Sequence, residues 1–454
     1  MKIEDTLQTI VKAYDVRGLS PQQLSTHVAE RLGAGFARWL IENDLGDSVV
    51  LAGDMRPTTP TLIDALAAGI TGQGLDVLDA GLSSTDQLYF ASGYLAMPGI
   101  QVTASHNPAA YNGMKLCRAL AAPIGTGTGL ERISELAAGD LPAAAERGTR
   151  TSIDTLSAYA DKLHALVPLD GVRPLKIVVD AANGMGGLTV PEVLGRTSAE
   201  IVELYFELDG SFPNHPADPL NPQNLVDLQR AVREHRADLG LAFDGDADRC
   251  FVVDERGEPV SPSMITALIT ERELAKHPGS TVVHNVITSR LVPEVIEAAG
   301  GTPSRTKVGH SNMKARMAET NAIFGGEHSA HYYFRDFYFA DTGMLAAMHV
   351  LAAVGEQDGP LSELVRRYDR YAASGEINST VEDTAAALAK VRAHAVADDA
   401  RLDELDGITA ELSDGAWFNV RPSNTEPLLR LNVEAPNRTR MAALRDEILE
   451  VIRG

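Results

Sequence analysis

The feature that most constrains the fold of this chain is an order of segments that occurs three times. Short β-branched runs alternate with Ala- and Leu-rich amphipathic stretches, which is typical of α/β proteins. In each region a strand, a helix and a second strand lead to a third apolar strand, which runs into a polar loop. The first strands are predicted at 49–52, 176–180 and 281–284, each followed by a break, the last at Asn285. The third strands are predicted at 99–102, 239–243 and 322–324, and the polar loops at 103–108, 244–249 and 325–331. Because open α/β sheets bind ligands beyond the carboxyl ends of their strands, these loops are candidate sites.

This segment order also predicts the domain organisation. We expect three related α/β domains and a smaller C-terminal α+β domain, because the pattern changes after residue 371. There, a helix at 383–396 precedes strands at 407–412, 417–420 and 428–433 and a last helix at 438–452. The expected domains are 1–148, 149–253, 254–369 and 370–454. The repeat is too long and too irregular for a solenoid.

Composition and charge narrow the class of protein. Hydrophobic residues make up 44% and charged residues 22%, as in globular proteins. The 62 acidic and 40 basic residues give a net charge of −22, which argues against nucleic acid or an anionic membrane as a partner. A small anionic substrate stays possible, since one basic pocket can outweigh a distant acidic surface. Two cysteines, an acidic N-terminus and no run of about 18 apolar residues predict a cytoplasmic protein without a signal peptide or membrane helix.

The loop Asp244-x-Asp246-x-Asp248 carries the strongest chemical signal. Side chains at alternate positions of an extended or tightly turned backbone project to one side, and three converging carboxylates repel one another unless a cation lies between them. Oxygen ligands in this number suit Mg²⁺ or Ca²⁺. A solvated acidic turn is the simpler alternative. An EF-hand is rejected, because Arg249 stands where its sharp turn requires Gly and both flanks read as strands.

The loop 103–108, called the serine loop below, places a hydroxyl next to an imidazole, at Ser105 and His106. A Ser-His pair adjacent in sequence is usually a turn or a helix cap, and adjacency does not make a catalytic pair. The pair gains interest only because a metal loop and basic residues are available to activate a phosphorylated hydroxyl.

The loop 325–331 begins with two glycines, which let the backbone approach a ligand closely. In an extended backbone Glu327 and Ser329 share one side and suit vicinal sugar hydroxyls. A metal site formed by Glu327, His328 and His331 is a second possibility, although the two histidines lack the helical spacing of such sites. A polar loop with one buried histidine is equally compatible with this segment.

The turn 421–427 is the fourth polar loop. It brings together one guanidinium, two hydroxyls, an amide and several backbone N–H groups, from Arg421, Ser423, Asn424 and Thr425. Such a nest suits a phosphate, which Arg421 can bind through two hydrogen bonds. A turn closed by side-chain hydrogen bonds and Pro427 is the alternative.

Taken together, the four loops resemble those of one family. The sequence is similar to the α-D-phosphohexomutases, within them to the bacterial phosphomannomutase/phosphoglucomutase branch. All four signature loops occur in family order, and the resemblance runs from Tyr14 to the C-terminus. It implies three α/β domains with mixed sheets and a smaller fourth domain around a central cleft.

The resemblance also implies roles for individual residues. Ser105 corresponds to the phosphoserine, which donates and accepts the phosphoryl group and completes a Mg²⁺ site with Asp244, Asp246 and Asp248. The other catalytic positions are Arg17, His106, Lys115, Arg249 and His331, the last as a general acid/base candidate. The substrate-binding positions are Tyr14, His310, Glu327, Ser329, Arg421, Ser423, Asn424 and Thr425. Ala330 stands where many members have Gly, and we expect function to survive this change.

The implied reaction is the interconversion of mannose 6-phosphate and mannose 1-phosphate, with the glucose phosphates also accepted. It proceeds through a hexose 1,6-bisphosphate, which also serves as activator. The alternatives are a phosphoglucomutase or phosphoglucosamine mutase of the same family, or a metal-dependent sugar-phosphate phosphatase. We expect a monomer or a homodimer whose partner is the small hexose phosphate. Lys115, His106 and His331 remain equal candidates for moving the hydroxyl proton.

Overall fold

The computed structural model describes residues 2–422 and 428–454, which form two compact units. The first unit comprises residues 1–262 and 329–364, and the second comprises residues 263–328 and 365–454. No helix among the described residues is long and apolar enough to cross a membrane.

The first sheet of unit one is mixed and contains the strand that leads to Ser105. Its strands are β1 (Val16–Leu19), β2 (Ser48–Gly53), β3 (Asp76–Leu82), β4 (Gly99–Val102), β5 (Tyr111–Arg118), β6 (Ala122–Pro123) and β7 (Arg150–Ser152). The strand order is β1-β5-β4-β2-β3-β7, with β6 paired to β5. Strands β4, β2, β3 and β7 run parallel, whereas β1 and β5 are antiparallel to their neighbours. Strand β7 joins this sheet although it lies beyond residue 148.

Helices cover the first sheet and form the core with it. They are α1 (Ile3–Ile10), α2 (Thr26–Glu42), α3 (Thr59–Gly72), α4 (Thr85–Leu95) and α5 (Leu130–Ala138). Strand β2 is apolar and buried from Val49 to Ala52, as expected for a parallel strand covered on both faces. A large hydrophobic cluster on one face joins this sheet to α2, α3 and α5, and a smaller one joins the other face to α4. Buried apolar side chains cover both faces of the sheet. This packing holds the polar ends of the strands in fixed positions.

The second sheet carries the acidic loop. Its strands are β8 (Lys176–Asp180), β9 (Glu200–Leu204), β10 (Leu239–Phe243), β11 (Cys250–Asp254) and β12 (Pro259–Val260). Their order is β12-β11-β10-β8-β9, with β8, β9 and β10 parallel and β11 antiparallel to both its neighbours. The accompanying helices are α6 (Leu156–Leu166), α7 (Gly186–Val193) and α8 (Val226–His235). The expectation of mixed sheets is therefore confirmed in both sheets.

The third repeat contributes elements to both units. Unit two contains α9 (Pro262–Lys276), β13 (Thr281–Asn285), α10 (Leu291–Ala298), β14 (Thr302–Thr306), α11 (His310–Thr320) and β15 (Phe324–Gly326). Strand β13 pairs in parallel with β14 and with β15. Unit one contains the antiparallel pair β16 (Tyr332–Phe334) and β17 (Ala340–Asp341), followed by α12 (Gly343–Gly355) and α13 (Leu361–Val365).

The C-terminal region of unit two has the expected α+β character. An antiparallel sheet in the order β18-β22-β21-β20-β19 is covered by two helices. These elements are β18 (Ala372–Thr380), α14 (Thr384–Ala397), β19 (Arg401–Asp403), β20 (Ile408–Glu411), β21 (Trp417–Pro422), β22 (Leu428–Ala435) and α15 (Arg438–Arg453). Their hydrophobic cluster is separate from that of the first sheet, so this layer has its own core.

Candidate active site

Ser105 lies in the loop that follows β4 and has a left-handed backbone, with φ of 49°. Its N–H donates to Thr103 Oγ1 at 2.9 Å, and its Oγ donates to Asp244 Oδ2 at 2.9 Å. A left-handed conformation is costly for a residue other than Gly and persists only where its surroundings hold it. The hydroxyl is therefore aimed at the acidic loop by the fold.

The acidic loop connects the antiparallel strands β10 and β11, so the strand flanks that argued against an EF-hand are confirmed. The turn closes with a left-handed Ala247, whose N–H donates to Asp244 O at 3.0 Å. Gly245 lies against the Ser105 carbonyl, where a Cβ atom would come within 2.5 Å of the Ser105 oxygen. The acidic loop and the serine loop thus approach each other to a distance that only Gly permits.

The three carboxylates are buried and lie close together. Their ligand oxygens lie within 4.8 Å of one another. Burial raises the pKa of Asp244 to about 8, and the charges of Asp246 and Asp248 add to this although Arg249 opposes it. Burial also acts against ionised Asp246, but Lys115 and Thr85 outweigh it and lower the pKa of Asp246 well below its usual range. The trio carries more negative charge than its environment readily accepts.

Two oxygen atoms of the trio fit a metal ion. Within the described part of the chain, no group donates a hydrogen bond to the buried Asp246 Oδ1 or Asp248 Oδ1. His331 Nε2 lies 3.7 Å from Asp248 Oδ1, which is too distant for a hydrogen bond. Buried carboxylate oxygens are rarely left without a partner, and hard divalent cations prefer such oxygens. The acidic cluster is therefore suited to bind a metal.

Arg249 links the acidic loop to His106. Its Nε donates to Asp244 Oδ2 at 2.9 Å, and its Nη2 donates to His106 Nδ1 at 2.6 Å. Arginine has no acceptor atom, so His106 Nδ1 must be unprotonated. Burial and the positive charges of Arg249 and Arg17 lower the pKa of His106 well below its usual range. His106 is thus a neutral ring whose Nδ1 lone pair is occupied.

Lys115 and Arg17 supply further positive charge from strands of the first sheet. Lys115 Nζ donates to Asp246 Oδ2 at 2.7 Å and to Asp248 Oδ2 at 2.5 Å. Burial opposes its charge, but these two carboxylates outweigh burial and raise the pKa of Lys115 well above its usual range. Arg17 Nη1 donates to Asn107 Oδ1 at 2.6 Å, in the serine loop. Lys115 is therefore a fixed cation.

His331 approaches the acidic loop from the segment before β16. Its backbone forms an isolated antiparallel bridge with Arg249, and its Nδ1 lies 3.0 Å from Ser329 Oγ. Ala330 between them is left-handed, with φ of 63°. The resemblance places Gly at this position in many members, and the strained Ala shows which backbone conformation that Gly serves.

Glu327 and His310 lie in unit two. Glu327 is buried, and its Oε1 accepts hydrogen bonds from Asn285 Nδ2 at 2.9 Å and from Gly309 N–H at 3.1 Å. His310 is half-buried at the first position of α11. Asn285, seen in the sequence only as a break after a strand, fixes the carboxylate of Glu327.

Arg421 lies at the end of β21 and is buried. Its Nη2 is 2.6 Å from Glu376 Oε2, and Glu376 Oε1 is 3.3 Å from Arg430. Burial lowers the pKa of Arg421, because Glu376 does not fully offset burial and the like charge of Arg430. The charges of Asp406 and Glu327 also favour the guanidinium, and within the described residues its Nε has no hydrogen-bond partner.

The structure describes only some of the remaining predicted residues. Ser423, Asn424 and Thr425 lie outside the described residues. Tyr14 is half-buried at the bend before β1. Two residues next to Ser105 were missed by the sequence reasoning, namely Asp54 and Arg56, which form a buried ion pair at 3.2 Å. The sequence contained a clue to both residues. They directly follow β2, which is the neighbour of the strand that leads to Ser105.

Four family models match the chain in order. They describe domains I, II, III and the C-terminal domain of phosphoglucomutase/phosphomannomutase, and they match residues 8–140, 157–257, 261–371 and 376–451. The first three are described as alpha/beta/alpha domains. Together they cover nearly the whole chain.

Individual relatives agree with these models. A phosphomannomutase of Salmonella montevideo is 43% identical over 438 residues, which cover 94% of this chain and 95% of the relative. A protein named phosphohexose mutases from Xanthomonas campestris is 42% identical over 98% of this chain and 99% of its own. A crystal structure of a phosphoglucomutase/phosphomannomutase family protein from Burkholderia thailandensis matches with a TM-score of 0.90 and 32% identity, over 98% of this chain and 97% of that one.

Proposed function

Because the chain belongs to the phosphoglucomutase/phosphomannomutase family, we propose that it is a phosphomannomutase with Ser105 as its phosphoryl carrier. Phosphorylated Ser105 gives its phosphoryl group to the free hydroxyl of a hexose monophosphate. The resulting 1,6-bisphosphate turns end for end and returns its other phosphoryl group to Ser105. The product is the isomeric monophosphate, and the enzyme regains its phosphoserine.

The observation that carries this proposal is the hydrogen bond from Ser105 Oγ to Asp244 at 2.9 Å. It places a hydroxyl against a buried acidic trio that also contacts Lys115 and Arg249. Phosphoryl transfer depends mainly on positioning and on neutralising the charge of the transferring group. This arrangement provides both before any substrate binds.

Asp244, Asp246 and Asp248 would hold a divalent cation, for which we propose Mg²⁺. When bound, the cation supplies positive charge to the transferring phosphoryl group. Lys115 and Arg249 add charge from fixed positions, since each is held by buried carboxylates. Arg17 contributes positive charge next to the serine loop, where it donates a hydrogen bond to Asn107.

We assign the transfer of the hydroxyl proton to His331. His106 is a poor base because Arg249 occupies its Nδ1 lone pair. Lys115 is held as a cation between two carboxylates, so it supplies charge rather than a lone pair. His331 instead has a hydroxyl partner at Nδ1 and a carboxylate 3.7 Å from Nε2, which can orient the ring for proton transfer.

The residues of unit two are proposed to bind the sugar and the phosphate that does not react. Glu327 carries a fixed carboxylate for sugar hydroxyls, with His310 beginning the next helix. Arg421 is buried, and its Nε has no hydrogen-bond partner among the described residues, so it is proposed to bind the phosphate. Ser423, Asn424 and Thr425 are proposed to complete that phosphate site.

The mannose phosphates are the proposed main substrates, supported by the phosphomannomutases that are 43% identical. Activity on glucose phosphates is proposed as well, supported by the phosphohexose mutases at 42%. The test is a coupled assay with mannose, glucose and glucosamine 1-phosphates, Mg²⁺ and trace glucose 1,6-bisphosphate as activator. We expect mannose 1-phosphate to give the highest kcat/KM.

Two results would contradict this function. Release of inorganic phosphate faster than isomerisation would indicate a phosphatase. Activity that survives in Ser105→Ala would contradict the role of Ser105 as the phosphoserine, because that variant has no hydroxyl to carry the phosphoryl group. We expect Ser105→Ala to lose about 10⁴-fold or more in kcat, as is usual for the loss of a covalent nucleophile.

A further inference from the structure

A buried ion pair, Asp54 and Arg56, lies beneath the loop that carries Ser105. Both side chains are inaccessible to solvent, and Arg56 Nε is 3.2 Å from Asp54 Oδ2. We propose that this pair positions Ser105 for phosphoryl transfer. The proposal rests on the function proposed above and assigns a role to two residues outside the reacting groups.

The guanidinium of Arg56 directs three of its five N–H groups at the serine loop and a fourth at Tyr111, the first residue of β5. Its Nη2 donates to the carbonyls of Ser105 at 2.8 Å and Asn107 at 2.7 Å. Its Nη1 donates to the carbonyls of Pro108 at 3.0 Å and Tyr111 at 2.9 Å. The fifth N–H, on Nε, goes to Asp54. A rigid planar fork is thus fully used, and it fixes the loop at three points and the start of β5 at a fourth.

Asp54 holds the other side of Ser105 through Thr103. Its Oδ2 accepts from Thr103 Oγ1 at 2.7 Å, and that same hydroxyl oxygen accepts from Ser105 N–H at 2.9 Å. Arg56 bonds the carbonyl that follows. The peptide groups on both sides of Ser105 are therefore tied to one ion pair, which accounts for the left-handed backbone of this residue.

The fold also shields the pair from water. Strands β2 and β4 are parallel neighbours, and Asp54 N–H donates to Val102 O at 2.9 Å, so the pair and the loop start from one sheet edge. The Phe212 ring lies 5.1 Å from the guanidinium carbon. Gly210 packs so closely that a Cβ atom would lie 2.5 Å from Arg56 Cα. Hydrogen bonds in such a dry environment are stronger than in water.

The acceptors of the Arg56 hydrogen bonds distinguish a role in positioning Ser105 from a general role in stabilising the fold. A buried ion pair is weak support for stability, because desolvation offsets its attraction. A pair kept only for stability has no reason to direct four donors at one segment. Every one of those four bonds instead ends on the segment from Ser105 to Tyr111.

The test is Arg56→Lys, compared with Arg173→Lys as a matched control. Lysine keeps the charge, but its single nitrogen cannot span four carbonyls. We expect kcat to fall about 100-fold, as for a displacement of roughly 1 Å, while KM for mannose 1-phosphate stays within about threefold. Arg173 also bonds a carboxylate and a carbonyl, on Asp238 and Gln357, but none in the serine loop, so its variant should keep wild-type kcat. A kcat of Arg56→Lys within about twofold of wild type overturns the proposal.

A single-turnover measurement separates this role from a structural one. Labelled glucose 1,6-bisphosphate should phosphorylate Ser105 more slowly in Arg56→Lys but to the same final stoichiometry. Asp54→Asn is the second variant and should show the same slow labelling with an unchanged thermal midpoint. If neither variant folds, the pair is purely structural and the proposal fails.

The same assay distinguishes the two proposals. If the wild type neither isomerises nor takes up label, the proposed function itself is wrong. If the wild type does both and the Arg56 and Asp54 variants label at its rate, only the positioning role is wrong.

Discussion

Arg249 in unit one and Arg421 in unit two are both buried, and each is held by one carboxylate. The partner is Asp244 at 2.8 Å for Arg249 and Glu376 at 2.6 Å for Arg421. Burial disfavours the charged form of both. For Arg249 the carboxylates of Asp244 and Asp248 outweigh burial and raise its pKa. For Arg421 burial prevails and lowers its pKa, since Glu376 is shared with Arg430.

The difference separates two uses of a buried arginine. The carboxylates around Arg249 more than offset the cost of burying its charge. Arg249 is therefore fixed in place before a substrate arrives, as electrostatic preorganisation requires. The carboxylates around Arg421 do not fully offset the cost of burying its charge, so a bound anion would stabilise its charged form further. The first arrangement suits the chemical step, and the second suits a phosphate that must be held and then released.

The largest expected effect that tests this contrast is on kcat. Arg249→Lys removes the fork that joins Asp244 to His106, so we expect kcat to fall about 10³-fold with a smaller change in KM. Steady-state kinetics with mannose 1-phosphate measure this. An equal loss of kcat in Arg421→Lys would show that the two arginines do not differ in role.

The next effect is a contrast in acid response between the two units. Burial raises the pKa of Asp86 in unit one to about 6, although Ser84, Tyr159 and Thr342 hydrogen-bond its carboxylate. Burial, with the nearby Arg305, lowers the pKa of His284 in unit two to about 4. The folded state thus binds a proton more tightly than the unfolded chain at Asp86 and less tightly at His284, relative to unfolded values of about 3.9 and 6.5.

Lowering the pH from 7 to 4 should therefore stabilise the surroundings of Asp86 and destabilise those of His284. Each contribution is about 3 kcal/mol at most, since one pKa unit corresponds to about 1.4 kcal/mol. Hydrogen exchange of α4 and β13 across this range measures the two regions separately. Asp86→Asn should abolish the first trend and His284→Gln the second. A parallel response of both regions would contradict the contrast.

A smaller effect is expected on substrate affinity. Arg421→Lys removes a charge-assisted fork from the proposed phosphate site, and we expect KM to rise about 10- to 30-fold with kcat nearly unchanged. Arg430→Lys is the matched control, because it contacts the same Glu376 from the neighbouring strand. A change in kcat without a change in KM would place Arg421 in the chemical step.

The smallest expected effect concerns Glu376 itself. If Arg421 binds a phosphate as proposed, Glu376→Gln removes a carboxylate that competes for the same guanidinium, so we expect KM to fall about threefold. The thermal midpoint should fall at the same time, because two cations lose their counter-charge. A rise in KM would mean that Glu376 orients Arg421 instead of competing for its charge.

Much of the fold was predictable from the sequence, because buried strands are short apolar runs with polar ends. Strands β4, β8 and β10 occupy the predicted ranges, and the predicted polar loops follow β4 and β10. Element ends were less predictable. The predicted strand 322–324 lies at Phe324–Gly326, because glycines, which are weak strand formers in general, here extend a parallel pairing with β13.

The site was predictable only where chemistry is concentrated in one segment. Asp244, Asp246 and Asp248 are neighbours in sequence, whereas Arg56 meets the serine loop 49 residues away from Ser105. Lys115 pairs with Asp246 across 131 residues. Pairings at such separations follow from the order of strands in the sheets, which no local pattern contains. The occupied lone pair of His106 likewise follows only from the placement of Arg249.

The hydrogen bond from Ser105 to Asp244 has a consequence for the catalytic cycle. Only a free hydroxyl has a proton to donate, since the Oγ of a phosphoserine is an ester oxygen without hydrogen. In the proposed cycle, each phosphorylation of Ser105 would therefore remove one donor from Asp244, and each dephosphorylation would restore it. Asp244 would then be hydrogen-bonded to the serine in the dephosphorylated enzyme and available to a cation in the phosphorylated enzyme.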